Sequence, residues 1–443
     1  MKELKKIRIG AGAGFSGDRL EPAKILAEAG EIDYLVLECL AERTIALAQK
    51  RKLADSSKGY DPLLERRMEI LLPIIKEKDI KILSNMGAAN PLAAAKKITE
   101  IAAKNNITIK VAAVIGDDVL SLITGNEITI ESGKPLNSFG KIISANAYLG
   151  ADSILPAIAS GADIIITGRV ADPSLVVAPL MYEFGWSYDD TGLIGKATVI
   201  GHLMECAGQV TGGYFADGVN KIVPDLAILG HPFVDVSADG TAVIGKVENT
   251  GGIISLATVK EQLLYEVLNP FTYLTPDVSA DFTTVSLKQI APNRVQVSDG
   301  SGSSKPEKLK VSIGYQAGFM GEGEILYAGA FAMERAKMAG EIVRLRLAEL
   351  FQDTLKIDYI GHNSAHAGIN QEDTTAYEIR LRVAGMANSP ETAALIGEEV
   401  EALYTNGPSG GGGVRKSVTE IIGIQSILMS RNSINHSFSI FES

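Results

Sequence analysis

"KIRIGAGAGFSGDRLEPAKILAEAGEIDYLVLE" (residues 6–38) decides the fold. An apolar run at 6–12 passes through glycines into a helical pattern at 22–30, and a second apolar run follows at 33–39. Strand, helix and strand in that order predict a βαβ unit with parallel strands. The stretch also contains Gly12-x-Gly14-x-x-Gly17, and Glu38 ends the next strand, where a dinucleotide-binding fold keeps its ribose-binding carboxylate. Pro22 argues against that use. In a dinucleotide turn the helix begins within the glycine motif, under the pyrophosphate. A proline inside that helix would lose a hydrogen bond and clash with the preceding turn. The helix is therefore predicted to start near Pro22. Residues 10–20 then form a loop that displays Gly14, Ser16, Asp18 and Arg19 beyond the first strand.

The alternation continues. Apolar runs at 80–85, 109–116, 141–147 and 162–168 show little polar alternation, as in parallel strands covered on both faces. Helical patterns at 62–78 and 91–106 lie between them. Asp61-Pro62, Asn90-Pro91 and Asp172-Pro173 each put a capping side chain before a proline at a helix start. The predicted class is α/β, with a parallel sheet of βα repeats in residues 1–216, either open and doubly wound or closed like a barrel. A β-rich section follows at 217–352, with helices near 258–268 and 332–352. A small α+β unit at 353–443 completes the chain, including a helix at 389–404 capped by Ser389.

Composition excludes several classes. The 443 residues are 46% hydrophobic and 21% charged, as in globular proteins of more than one domain. A net charge of −11 offers no basic surface for nucleic acid. No apolar run approaches the roughly eighteen residues of a membrane span. The basic cluster Lys2, Lys5, Lys6 and Arg8 precedes a strand, not the apolar run of a signal peptide. Cys39 and Cys206 form neither a zinc nor a disulfide pattern. A cytoplasmic homo-oligomer is expected.

Ligands of open parallel sheets, and of barrels, bind beyond the carboxyl ends of the strands. The predicted strands end in Asp18 and Arg19, in Glu38 and Glu42, in Asn85 and Asn90, in Asp117 and Asp118, in Asn146, and in Arg169 and Asp172. Such a series predicts the rim of one small-molecule site, although solvated loops are polar in any case and some of these residues suit helix capping. Arg19 and Arg169 stand close behind glycines and suit paired hydrogen bonds to a carboxylate or phosphate. Glu38, Asp117 or Asp118 would supply acid–base chemistry, and the adjacent aspartates also suit Mg²⁺. His202, Glu205 and Cys206 share one helix face, which permits a metal site, a Glu–His acid–base pair, or plain packing. His362 and His366 are a further metal alternative. In "TNGPSGGGGVRKS" (405–417), Gly410, Gly411 and Gly412 precede Arg415 and Lys416, and their backbone donors suit an anionic group such as the phosphates of a coenzyme A ester. A flexible hairpin is the alternative. Catalysis is thus assigned to Glu38, Asp118, His202 and Glu205. Substrate binding is assigned to Gly14, Ser16, Asp18, Arg19, Asn85, Asn90, Asn146, Arg169 and Asp172, with no cofactor or metal assigned.

"GAGAGFSGDRLEPA", "YLVLECLAERTIALAQ", "NMGAANPLAAAKKI", "GRVADPSL", "GHLMECAGQVTGGYFAD", "TVKEQLLYEV" and "ALYTNGPSGGGGVRKSV", in that order, resemble the acyclic terpene utilisation (AtuA) family to about residue 430. The family takes its name from bacterial operons that degrade terpenoids such as citronellol through coenzyme A thioesters. It brings no assigned reaction and no catalytic residues. Some members are similar but carry an additional carboxyl-terminal ferredoxin-like domain, for which this chain is too short. The resemblance implies a catabolic enzyme acting on a carboxylate or acyl-CoA intermediate, of hydratase, lyase or isomerase type. A nicotinamide-dependent oxidoreductase and a non-catalytic ligand-binding subunit are the alternatives.

Overall fold

The computed structural model describes residues 5–366 and 376–443. They form two compact units: Met1–Leu136 with Ile143–Gly314 and Ile424–Ser443, and Asn137–Ile142 with Tyr315–Gly423.

The first unit opens with β1 (Lys6–Gly14), α1 (Glu21–Ala29), β2 (Tyr34–Glu38), α2 (Glu42–Ala54) and α3 (Leu64–Lys78). It continues with β3 (Lys81–Ser84), α4 (Pro91–Lys104), β4 (Lys110–Ile115), β5 (Ile142–Ala147), α5 (Ala151–Ala159) and β6 (Ile164–Thr167). Helices α6 (Ser174–Phe184) and α7 (Thr191–Glu205) follow. The parallel strands lie in the order β1-β2-β3-β6-β4. Leu35, Leu37, Ile82, Leu83, Ile164 and Ile165 are wholly buried, so both faces of the sheet are covered, as the unbroken apolar runs require.

From β1 to β4 the chain steps across the sheet in one direction, and from β4 to β6 it steps back. Right-handed crossovers then put the helices of the outward steps on one face and those of the return on the other. The packing agrees: α3 contacts α1 and α4, whereas α6 contacts α5 and α7. The connections after β3 and after β6 thus run to opposite faces, the topology at which open α/β sheets place their ligands beyond the carboxyl ends of the strands.

Antiparallel strands extend the sheet. Strand β7 (Pro232–Ser237) pairs with β1, and β8 (Ala242–Lys246) pairs with β7. Helix α8 (Leu256–Leu264) precedes a small sheet of β9 (Tyr273–Leu274), β10 (Ser279–Asp281) and β13 (Ser301–Ser303). Between β10 and β13, strands β11 (Ser286–Ala291) and β12 (Arg294–Ser298) form a hairpin that joins β8. At the far edge β18 (Ser437–Glu442) pairs with β4. The ten-stranded sheet therefore ends at β11 and β18, and it is open. Much of the β-rich section is thus an extension of the parallel core.

The second unit holds β14 (Lys308–Ala328) from Tyr315 onward, α9 (Ala332–Phe351), β15 (Lys356–Ile360), β16 (Glu378–Ala387), α10 (Pro390–Asn406) and β17 (Gly412–Ser430) as far as Gly423. Its strand order, β15-β16-β14-β17, is that of the split βαβ arrangement. Ser389 caps α10 by accepting from the Thr392 amide at 3.2 Å. Among the described residues, no helix is long and apolar enough to cross a membrane.

Two local expectations change. The fifth of the six expected parallel strands, β5, stands outside the main sheet and pairs with β14. The connection from β4 to β5 contains only 3-10 turns, not the crossover helix that usually returns a chain to parallel register. Strand β1 also runs to Gly14, so Gly12 and Gly14 belong to the strand and the loop shortens to residues 15–20. Helix α1 starts at Glu21, with Pro22 in its first turn as anticipated. Its amino end lies outside the glycine motif. Fluorescence titration with NADH is accordingly expected to show no saturable binding, and a micromolar dissociation constant would overturn that expectation.

Candidate functional site

Arg169 sits in the turn after β6, and its side chain is only 1% exposed. Its Nη1 donates to the Leu40 carbonyl, and its Nη2 donates to Asp172 Oδ1 at 2.6 Å. The guanidinium carbon lies 4.0 Å from the centroid of the Tyr148 ring. A buried guanidinium needs this compensation, because desolvating the ion costs several kcal/mol. The backbone that carries it is held from β4: Asp117 Oδ2 accepts from the Arg169 amide and from Asn146 Nδ2, each at 2.9 Å. A methyl group on Gly168 would come within 2.5 Å of the Asp117 carboxylate, so only glycine admits that approach. Asp117 is therefore a positioning residue, and burial raises its carboxyl to about 6.

Two more carboxyls stand at this edge. Glu38, at the end of β2, accepts from the Leu40 amide at 2.8 Å and from Asn85 Nδ2 at 2.9 Å. The Asn85 Oδ1 in turn accepts from the Cys39 amide at 2.7 Å. Burial, and then the Asp172 charge, push Glu38 well above the usual carboxylate range, against the pull of those donors and of Arg169. Asp172 is also raised, by burial and by Glu205 and Glu42, with Arg169 opposing. Its side chain keeps 32% of its surface open, and its ion pair with Arg169 favours the charged form. Asp172 is thus the more easily ionised of the two. It does not cap a helix as its Asp-Pro sequence suggested, since α6 begins without a side-chain cap.

Glu42 accepts from the Tyr148 hydroxyl and, at 3.1 Å, from Lys310 Nζ. Burial works against its charge, but Tyr148, Arg169 and Lys310 hold it down at about 2. The end of β1 meets the end of α7. A methyl group on Gly14 would lie 2.5 Å from Cys206 Cα and 2.6 Å from the Glu205 carbonyl oxygen. His202 is wholly buried, with Nδ1 2.9 Å from Glu205 Oε1.

Glu38, Asn85, Asn146, Arg169, Asp172, His202, Glu205 and Gly14 therefore gather at the carboxyl edge of the first unit's parallel strands. Other assigned residues are committed elsewhere. Arg19 donates to the Leu226 and Ala227 carbonyls at 3.2 and 2.9 Å. Asn90 caps α4 through the Ala93 amide and donates to the Ser56 and Lys58 carbonyls. Asp18 binds the Gly14 amide at 2.8 Å, and Ser16 donates to Asp61 at 2.5 Å. Exposed Asp118 accepts from the Leu120 amide at 3.2 Å. Gly410, Gly411, Gly412 and Arg415 belong to the second unit, where Arg335 donates to the neighbouring Ser409 carbonyl and Lys416 pairs with Glu401. His362 follows β15, and His366 is exposed, with the residues after it outside the described ones. Among the described residues, no three His, Cys, Asp or Glu side chains converge to hold a metal ion.

The site also contains groups that sequence reasoning missed. Tyr148 follows Asn146 by two residues in a strand-end loop that was recognised as polar. Arg67, 1% exposed, occupies the apolar stripe of α3 with Leu64, Met68 and Leu71. It donates to Cys39 Sγ at 2.6 Å and to the Ser16 carbonyl at 3.1 Å, which ties the loop after β1 to β2. A charged residue inside an apolar helical stripe was the available signal. Lys310 and Gln262 carry no such signal.

The family model described as "Acyclic terpene utilisation family protein AtuA" matches residues 7–440. No curated protein and no solved structure matches the chain.

Two variants probe this framework. The folded state holds the Asp117 proton more tightly than the unfolded chain does, so this group's contribution is full below pH ~4 and is lost by pH ~6. The stability of the protein relative to Asp117→Asn should therefore fall across that window, by up to about 3 kcal/mol. Chemical denaturation at several pH values checks this, and a pH-independent difference would refute it. Gly14→Ala should destabilise by about 1–3 kcal/mol, because its methyl group meets backbone that cannot rotate away.

Proposed function

The chain belongs to the acyclic terpene utilisation (AtuA) family, and from that premise we propose an acid–base enzyme that works at the carbon beside a carbonyl group. Its substrate is a carboxylate or acyl-CoA intermediate of terpenoid or branched-chain acid breakdown, and its reaction is of hydratase, lyase or isomerase type. One observation carries this reading. Two carboxyls, Glu38 and Asp172, stand at the carboxyl edge of the parallel strands within reach of each other's charge, and a buried arginine forms its ion pair with only one of them. Environments that separate two carboxyls in this way assign their roles.

Asp172, raised by burial to about 7 and paired with Arg169, takes the proton from carbon in its ionised form. Glu38, kept protonated by burial, donates a hydrogen bond to the carbonyl oxygen as negative charge develops there. Arg169 has one guanidinium edge on Leu40 and one on Asp172, so its part is to set the Asp172 charge and position. It is not free to clamp the substrate as an isolated arginine would be.

A thermal-shift screen of coenzyme A esters, organic acids, nucleotides and divalent cations tests the reading. Stabilisation by a thioester or organic acid is expected, and a response to divalent cations alone would overturn it. The stabilising compound, incubated with the protein in D₂O, should acquire deuterium at the carbon beside its carbonyl. Asp172→Asn should slow that exchange about 10²–10⁴-fold. Absence of exchange, or exchange at the same rate in the variant, would remove the acid–base assignment.

A further inference from the structure

Both ring nitrogens of His202 face acceptors. Nδ1 lies 2.9 Å from Glu205 Oε1, and Nε2 lies 3.0 Å from the Gln262 carbonyl oxygen. A neutral imidazole carries one N–H. Filling both hydrogen bonds therefore takes one more proton, carried by His202 as imidazolium or by Glu205 as a carboxylic acid. The ring cannot turn away. Tyr273 and Phe282 pack against it at centroid distances of 5.5 and 5.4 Å, and Gln262 Nε2 donates to the His202 carbonyl at 3.1 Å.

The outer side of this pair is unfinished. Glu205 Oε2 is buried without a hydrogen-bond partner, and so is Gln262 Oε1. Two acceptors on adjoining side chains thus lack a donor, and leaving each unmet costs about 1–3 kcal/mol. Gln262 also lines a small open cleft of about 70 Å³, with Gln209, Tyr214, Phe215, Thr258 and Tyr265. The other titratable groups that face Glu205 are Cys206, Tyr273 and Asp172. Burial pushes the Cys206 thiol and the Tyr273 hydroxyl up, so both stay neutral and leave the pair's proton in place.

We propose that Glu205 is the acid–base residue for a hydroxyl group on the substrate, with His202 holding its proton and Gln262 sharing the water formed or consumed. Water has two hydrogens to offer, which matches two unfilled acceptors. The inference rests on the roles given above to Asp172 and Glu38, and it narrows the substrate to a 3-hydroxyacyl compound. In the dehydrating direction Asp172 removes the hydrogen beside the carbonyl, and a carbon–carbon double bond forms. The carbon–oxygen bond breaks, and the leaving hydroxide takes the proton of the pair to become water. Asp172 ends protonated and the pair one proton short, so a proton passed back through solvent restores both. Hydration is the reverse.

Calorimetry with 3-hydroxybutyryl-CoA and butyryl-CoA, on the intact protein and on Glu205→Gln and Gln262→Met, provides the test. The hydroxylated probe should bind the unaltered protein at least tenfold more tightly. That preference should shrink to under threefold in both variants, with butyryl-CoA binding unchanged. Equal affinity for the two probes in the unaltered protein, or a preference that survives both substitutions, overturns the proposal. If neither probe binds, the thioester reading fails, and ¹⁵N NMR of the ligand-free protein decides the proton pair by itself. An Nε2 that bears hydrogen beside an occupied Nδ1–Glu205 hydrogen bond supports it, whereas an Nε2 without hydrogen overturns it.

Discussion

A guanidinium taken out of water must be answered by the protein around it, and Arg169 is answered from three strand ends and held by its backbone from a fourth. Leu40, after β2, supplies a carbonyl, and Asp172, after β6, supplies a charge. Tyr148, after β5, supplies a ring face, and Asp117, after β4, holds the amide. Together they bring four separate segments to one point, and they divide the surrounding acidity unequally. Asp172 receives the ion pair. Glu38 receives only neutral donors, from Leu40 and Asn85. A pair of carboxyls that would otherwise behave alike is thereby separated.

The topology makes this convergence possible. Because β6 returns between β3 and β4, the chain leaves neighbouring strands toward opposite faces. The same constraint explains what was legible in the sequence. Glu38, Asn85, Arg169 and Asp172 could be named together because parallel strands deliver their carboxyl ends to one edge, whereas Asn146 reaches Asp117 from β5, outside that sheet. That edge follows from the βα alternation alone. Asp117 was legible as a strand-end carboxylate, but its role as a support depends on the tight approach of Gly168, which no spacing reveals.

Other residues were illegible for physical reasons. Arg19 and Asn90 have the right chemistry in the right loops, yet backbone carbonyls and a helix start claim them first. Lys310 and Gln262 reach the site from β14 and α8, segments whose own patterns report only a strand and a helix. Strand β5 was read as parallel because its apolar run is a fair strand. The sheet it joins depends on the connection before it, and there 3-10 turns replace a crossover helix. The glycine spacing at 12–17 shows the reverse case. It is a true pattern with a different cause, since Gly14 is required where β1 meets the end of α7.

Charge balance places one more condition on any occupant. Glu38, Asp172, Glu205 and Glu42 lie close enough for their charges to act on one another, with Arg169, Lys310 and the His202 proton against them. Full ionisation of all four carboxyls would leave the edge negative even before a ligand arrived. Burial pushes Glu38 toward its protonated form, and the two acceptors at the His202 ring call for one proton more than a neutral imidazole carries. A free carboxylate would add another negative charge where four carboxyls already compete for the same cations, and one more group would have to take up a proton to admit it. The uncharged carbonyl of a thioester carries no such cost, and it still develops negative charge when its neighbouring carbon loses a proton. Within the proposed function, the balance of this edge argues for an acyl thioester over a free acid. In the proposed reaction its protons meet charge that appears during the step, not charge that arrives with the ligand.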